Sequence, residues 1–270
     1  MIDLLFELIR KTSAPMPEAE PYGAFHLCFF IIGVPAAAVT AVLLCRIRIR
    51  KGTDNTGAFD KVTFSAGLIL MLGEIFKQLF YPAVEGAWRA EFFPFQLCSI
   101  PMYVAVAVPF IKNERISRAA YTFLATYGLM GGAASYISPG TMLRPYFAIT
   151  LHSFLWHLFL IFLGVYAAVG DKASRTIRGF SDTAIFYLLL SAAALSVNIA
   201  FHPTHPEVNM FYLGPTPSSL PVCRDITARF GWQVNSVLYI SALTLCAFLI
   251  HLLWHAILYC RTPKERNTKI

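Results

Sequence analysis

Charge is scarce in this 270-residue chain: Asp, Glu, Lys and Arg together make up 14% of it, against 57% hydrophobic residues. A soluble domain carries about a quarter charged residues, so an ordinary soluble fold is excluded and a polytopic membrane protein is expected. Paired cysteines are lacking as well. Cys28, Cys45, Cys98, Cys223, Cys246 and Cys260 are scattered without disulfide or zinc-ligand spacing, and most of them fall inside apolar runs. That pattern argues against a disulfide framework or a structural zinc site. Residues 1–23 have no long apolar core and no small-residue cleavage site, and carry Asp3, Glu7, Arg10, Lys11, Glu18 and Glu20; a cleavable signal peptide is not expected. No soluble domain, low-complexity stretch or internal repeat stands out. There is no nucleophile elbow of the hydrolase kind, and no pair of Gly/Pro-broken helices of the kind transporters carry. The formal charge of +7 is not gathered into one patch. The basic residues flank hydrophobic runs, which marks them as topology signals and anchors to anionic head groups and not as a nucleic-acid surface.

What the chain does contain is a series of apolar runs of about 20 residues, the length that crosses a ~30 Å hydrocarbon core. They fall at 24–45, 61–82, 94–112, 118–139, 146–170, 183–203 and 233–260. The expected fold is therefore all-α, a bundle of seven transmembrane helices over residues 24–260. An outward segment 1–23 precedes it, with "MIDLLFELIRK" as a short interfacial helix presenting Ile2, Leu5, Phe6 and Ile9 on one face. A basic tail, 261–270, follows it. Alternate loops hold 15 Lys and Arg residues on one side and 6 on the other, with Lys77 left inside a span. By the positive-inside rule the N-terminus faces outward and the C-terminus is cytoplasmic. The longest loop, 204–232, then lies outside, and its apolar Met210, Phe211 and Leu213 predict an ordered loop folded over the bundle.

Ionisable groups inside a membrane are costly, so each invites a functional reading. Glu74 and Lys77, in "GEIFKQLFY", are three apart on one helix face, close enough to pair; a structural ion pair holding two helices together is the plainer reading. His152 sits about 9 Å below the outer boundary by the ~1.5 Å rise per residue, and Cys98, four residues past Pro94, at about 6 Å. His157 points about 140° away from His152, which suggests an interhelical hydrogen bond. Asn198 and His202 reach the same layer from the sixth span, and Gln78, His205 and Asn209 line the rim. Taken singly, a cysteine in an apolar helix is usually a small hydrophobe; together these groups predict a polar site in the outer half. In the inner half, His251 and His255 are four apart and would make only half a metal site. No metal or other cofactor is expected.

The acidic residue and lysine of the second span, the Pro94-x-x-x-Cys98 approach to the third, Leu151-His152 early in the fifth and "NMFYLGPTP" at 209–217 make the chain resemble the YwaF/transmembrane protein 164 family over about residues 60–240. The resemblance implies a membrane-embedded acyltransferase that places fatty acyl chains on phospholipids, with Cys98 as nucleophile and His152 as base. Bacterial members often carry a histidine two residues before this cysteine, where this chain has Gln96. The chemistry is coherent: the thiolate is the reactive form and needs a base or a positive charge, which His152 or Lys77 can supply. Gln96, Asn198 or a backbone N–H near Pro101 would face the oxyanion of a thioester-forming step. The expected partner is a membrane phospholipid or lysophospholipid, and the expected location a bacterial cytoplasmic membrane. Two other readings stay open, since fold does not imply function. One is a small-solute transporter or receptor-like binding protein using Glu74, Lys77 and His152; the other is a lipid-binding scaffold with a structural polar core.

Overall fold

The computed structural model describes residues 2–17, 20–50, 56–216, 218 and 220–259; the expected basic tail lies outside them. Among the described residues the regular structure is helical, apart from one isolated bridge between Pro15 and Tyr146. The helices are α1 (Ile2–Arg10), α2 (residues 24–50), α3 (Thr56–Glu85), α4 (Ile100–Ala107), α5 (residues 114–137), α6 (Phe147–Val169), α7 (Ile177–Phe201) and α8 (Pro221–Tyr259). Single π-turns at Phe29–Gly33 and Leu124–Gly128 interrupt α2 and α5 without ending them.

Five segments are long and apolar enough to cross a membrane: Ala24–Ile47, Gly57–Glu85, Phe147–Val169, Ile177–Phe201 and Val222–Leu258. Large apolar side chains such as Ile31, Leu189 and Val237 stand exposed on them, as a lipid-facing surface requires. The third and fourth of the seven expected spans, α4 and α5, fall short of that standard for different reasons. α4 and its last 3₁₀ turn form an apolar helix only over Ile100–Phe110, about 16 Å at the usual rise. α5 opens on Glu114, Arg115 and Arg118, yet residues 119–128 are all buried. A helix surrounded by other helices does not need a uniformly apolar exterior. The main core is built around it: Tyr121, Phe123, Leu124 and Tyr127 of α5 meet Phe154, Ile161 and Tyr166 of α6 and Tyr187 of α7. Close approach depends on small residues, for a Cβ at Gly164 would lie 2.6 Å from that of Leu129.

Two boundaries differ from those expected. The helix of the third run begins at Ile100 and not at Pro94; residues 94–99 form turns, with the Ser99 N–H on the Gln96 carbonyl at 2.8 Å. Proline fits best in the first turn of a helix, where its missing N–H is no loss, and Pro101 takes that place in α4. Cys98 is therefore in a turn, and its helical depth of about 6 Å does not hold. The last helix starts at Pro221, inside the segment expected as loop. Its 39 residues would span about 58 Å as one rod, roughly twice the hydrocarbon core. Gly231 breaks it, with φ 84° and ψ 161°, a conformation that suits only glycine. The crossing part begins after this break, and residues 221–230 form a separate helical piece.

The amino end packs on the same face as the expected site. Phe6 and Ile9 of α1 meet Phe80, Tyr81 and Ile149, and the Arg10 guanidinium donates to the Ala83 carbonyl at 2.7 Å. Of the expected apolar face Ile2 and Leu5 stay exposed, as do Leu4 and Leu8.

Candidate functional site

Three pieces of chain bring the expected residues together: α3, the turn 94–99 and the first turns of α6. Glu74 is buried on α3, and its Oε1 accepts from the Lys77 ammonium at 2.9 Å and from the Gln78 amide at 2.7 Å. Its Oε2 is buried without a partner among the described residues. The Gln78 amide also donates to the Phe92 carbonyl at 2.6 Å, while the Gln78 oxygen accepts from the Trp88 indole at 2.8 Å. The chain Trp88–Gln78–Glu74–Lys77 thus fixes the ammonium at the end of a rigid row.

Gly73 opens the face of α3 toward α6. A Cβ there would come within 3.2 Å of His152 Nε2, so the missing side chain lets the imidazole lie a few tenths of an ångström closer to this helix than alanine would allow. Gly73 and Lys77 are four apart and share that face. Both ring nitrogens of His152 are buried and neither meets a side-chain partner among the described residues; the polar group the ring lies against is the Gly73 backbone. One helical turn further, Trp156 lies 5.4 Å from His152 between ring centroids, and its indole N–H donates to the Cys98 carbonyl at 3.0 Å. Trp156 is therefore the contact that Cys98 and His152 share. Cys98 itself is partly buried and packs against the cluster of Leu70, Met102, Ala105 and Trp156. His157 makes its hydrogen bond within α6, to the Ser153 carbonyl at 2.7 Å, and not across to another helix. The carbonyl one turn back satisfies that ring nitrogen within its own helix.

Gln96, Asn198 and Asn209 are occupied differently. The Asn198 amide is fully buried and donates to the Met210 carbonyl at 2.8 Å and to that of Leu213, while its oxygen accepts from the Met210 N–H at 2.7 Å. Gln96 donates to the Asn209 carbonyl and accepts from the Phe211 N–H, each at 2.9 Å. Asn209 donates to the Thr216 carbonyl at 3.1 Å, leaving its buried oxygen without a partner among the described residues. These amides clamp the loop 209–216, which holds Phe211 and Tyr212 at φ of 57° and 55° and Gly214 at 105°. The left-handed region is unfavourable for aromatic residues, so the loop keeps its shape because the clamps hold it. The Phe211 ring stacks on Phe95 at 5.8 Å and on Tyr187 at 6.3 Å. Among the described residues His202 reaches the Thr216 hydroxyl, at 3.5 Å, and His205 meets Glu207 on the exposed rim.

Sequence reading missed Gly73 and Trp156. Both have the composition of ordinary span residues; the one available signal is position, Gly73 beside Glu74 and Trp156 one turn from His152. His251 is buried against the Phe180 ring at 5.3 Å. Among the described residues no group of three His, Cys, Asp or Glu side chains is arranged to hold a metal.

A family model described as the TMEM164 family matches residues 21–260. No curated protein and no solved structure matches the chain.

Proposed function

The chain belongs to the TMEM164 family, and from that premise we propose that it is a lipid acyltransferase of the membrane interior, in which Cys98 carries the acyl group and His152 moves the proton. The observation that carries this reading is His152: its two ring nitrogens are buried and meet no side-chain partner among the described residues, one turn from the tryptophan that bonds the Cys98 carbonyl. The other polar candidates already have work. Gln96 and Asn198 hold the loop 209–216, so they act as positioning residues and the oxyanion falls to another donor. Lys77 keeps two N–H groups beyond the one given to Glu74, and it is within electrostatic reach of both Cys98 and His152. Cys98 also precedes the N-terminal end of α4, which favours negative charge.

The reaction has two halves. In the first, His152 takes the thiol proton as the sulfur bonds to the ester carbonyl carbon of a phospholipid. The resulting oxyanion faces Lys77, and its collapse expels the lysophospholipid oxygen, which recovers the proton from His152. Cys98 is left as a thioester. In the second half, the hydroxyl of an acceptor lysophospholipid gives its proton to His152 and attacks the thioester, and the sulfur leaves and is reprotonated. No cofactor is needed for this balance. The setting is a bundle of seven spans, α2 to α8, with the amino end outward and the carboxyl end cytoplasmic, in a bacterial cytoplasmic membrane.

Intact-mass spectrometry after incubation with phospholipid tests the proposal. Wild-type protein is expected to gain the mass of one acyl group, sensitive to hydroxylamine. Cys98→Ala and His152→Ala should not gain it, and Cys223→Ala should. A wild-type protein that takes up no acyl group from any lipid class, with Cys98→Ala equal to it in the host, would replace acyl transfer with the binding or transport reading.

A further inference from the structure

A second site lies on the opposite face of α4 from Cys98. Cys98, Met102 and Ala105 point one way, into the cluster around Trp156. Val104 and Ala107 of α4, Ile116 and Ala120 of α5, and Ile185 and Leu189 of α7 line a groove of about 820 Å³ that is apolar along most of its length. At one end it meets a polar pocket of about 280 Å³, and the two share Arg115 and Asp182. This second pocket adds Arg118, Arg178, Ser174 and Thr176. It lies at the end of the bundle that the charge bias assigns to the cytoplasm.

The charges there are unequal. Arg115 grips both oxygens of Asp182 at 2.6 and 2.7 Å, which joins α5 to α7 and cancels that carboxylate. Arg118 reaches Glu114 with one N–H at 3.0 Å, and it is half exposed. Arg178 is exposed, with no ion-pair partner within 4 Å among the described residues. Three guanidiniums against two carboxylates leave one positive charge and several free N–H donors at the mouth of an apolar groove.

We infer that this composite groove binds one anionic phospholipid of the cytoplasmic leaflet, with its phosphate on Arg178 and Arg118 and an acyl chain between α4, α5 and α7. Both halves of the ligand are required by the two halves of the site. A free phosphate would leave the apolar groove unused, and a zwitterionic head group would set its own cation beside the excess positive charge. Basic pockets between helices on the cytoplasmic side are suited to anionic head groups, and guanidinium–phosphate bonds are charge-assisted and directional. The site is separate from Cys98 and does not depend on the acyl-transfer reading.

Native mass spectrometry of the full chain in a non-ionic detergent, titrated with dioleoyl phosphatidylglycerol or dioleoyl phosphatidylcholine, tests it. One phosphatidylglycerol should be retained about tenfold more tightly than phosphatidylcholine: both present the phosphate, but choline sets a second cation beside the arginines, a like-charge contact that disfavours it. The double variant Arg118→Ala/Arg178→Ala should lower it to the phosphatidylcholine level. Ala107→Trp, which fills the groove and leaves the arginines in place, should lose phosphatidylglycerol too. The Cys98→Ala protein should bind like wild type, which separates this result from the fate of the acyl-enzyme. Equal retention of the two lipids, full retention by Ala107→Trp, or displacement by millimolar inorganic phosphate would each overturn the inference. Melting temperatures of the variants close to wild type certify that a lost signal is lost binding.

Discussion

At the scale of single residues, the site depends on which polar groups are already engaged. Glu74 and Lys77 form a pair whose side chains are 6% and 19% exposed. Removing one partner strands a charge at a cost of about 3–5 kcal/mol. Glu74→Gln and Lys77→Met alone should each lower the melting temperature clearly, while the double variant should lose less than their sum; strictly additive losses would show that the two do not interact. Gly73 makes a finer test. Alanine there places a methyl 3.2 Å from His152 Nε2, so the ring must shift by a few tenths of an ångström. Gly73→Ala should slow acyl-adduct formation about tenfold or more, since misplaced catalytic groups cost rate steeply, with little change in melting temperature. An adduct rate equal to wild type would mean that His152 need not lie against α3.

At the scale of elements, the loop 209–216 is held by partners from three places: the turn 94–99, α7 through Asn198, and α8 through the Ser236 hydroxyl on the Gly214 N–H at 3.3 Å. It carries two aromatic residues in the left-handed region, each an unfavourable conformation of about 1–3 kcal/mol. A loop so strained unfolds locally once its clamp is removed. Asn198→Ala deletes three hydrogen bonds and strands buried backbone groups, a loss of about 3 kcal/mol or more. The variant should be cut by protease within residues 204–216 under conditions where wild type is resistant, and its melting temperature should fall. Resistance equal to wild type would locate the stability of the loop in the Phe95–Phe211–Tyr187 stack instead. The glycine break at 231 belongs to the same scale, because it turns one overlong helix into a spanning piece and a lateral one.

At the scale of the whole molecule, the distribution of basic residues predicts an orientation. On the proposal that α2 to α8 are seven spans, 15 Lys and Arg fall on the side of the carboxyl end and 6 on the other, and the exposed Thr141 between α5 and α6 should face outward. Thr141→Cys, in a background whose native cysteines are silent, should react with a membrane-impermeant maleimide in intact cells. Reaction only after permeabilisation would reverse the orientation, and with it the leaflet assigned to the anionic-lipid groove.

Amino-acid order alone determined that this chain is helical and membrane-spanning, because crossing hydrocarbon demands about 20 apolar residues in a row and such runs can be counted. It also determined the Glu74–Lys77 pair, since three-residue spacing on a helix is local geometry, and it singled out Cys98 and His152 by residue type and by resemblance. The start of α4 was only half legible: Pro94 and Pro101 both signal boundaries, and packing chose the second. What only the tertiary structure decided is which polar groups are free. Asn198, Gln96 and His152 are indistinguishable as polar residues in apolar surroundings. Two of them meet the backbone of a loop that arrives from elsewhere in the chain, and the third meets Gly73 and Trp156. Hydrogen-bond satisfaction is a property of neighbours in space, and in this fold the partners of Gln96 lie more than a hundred residues away along the chain.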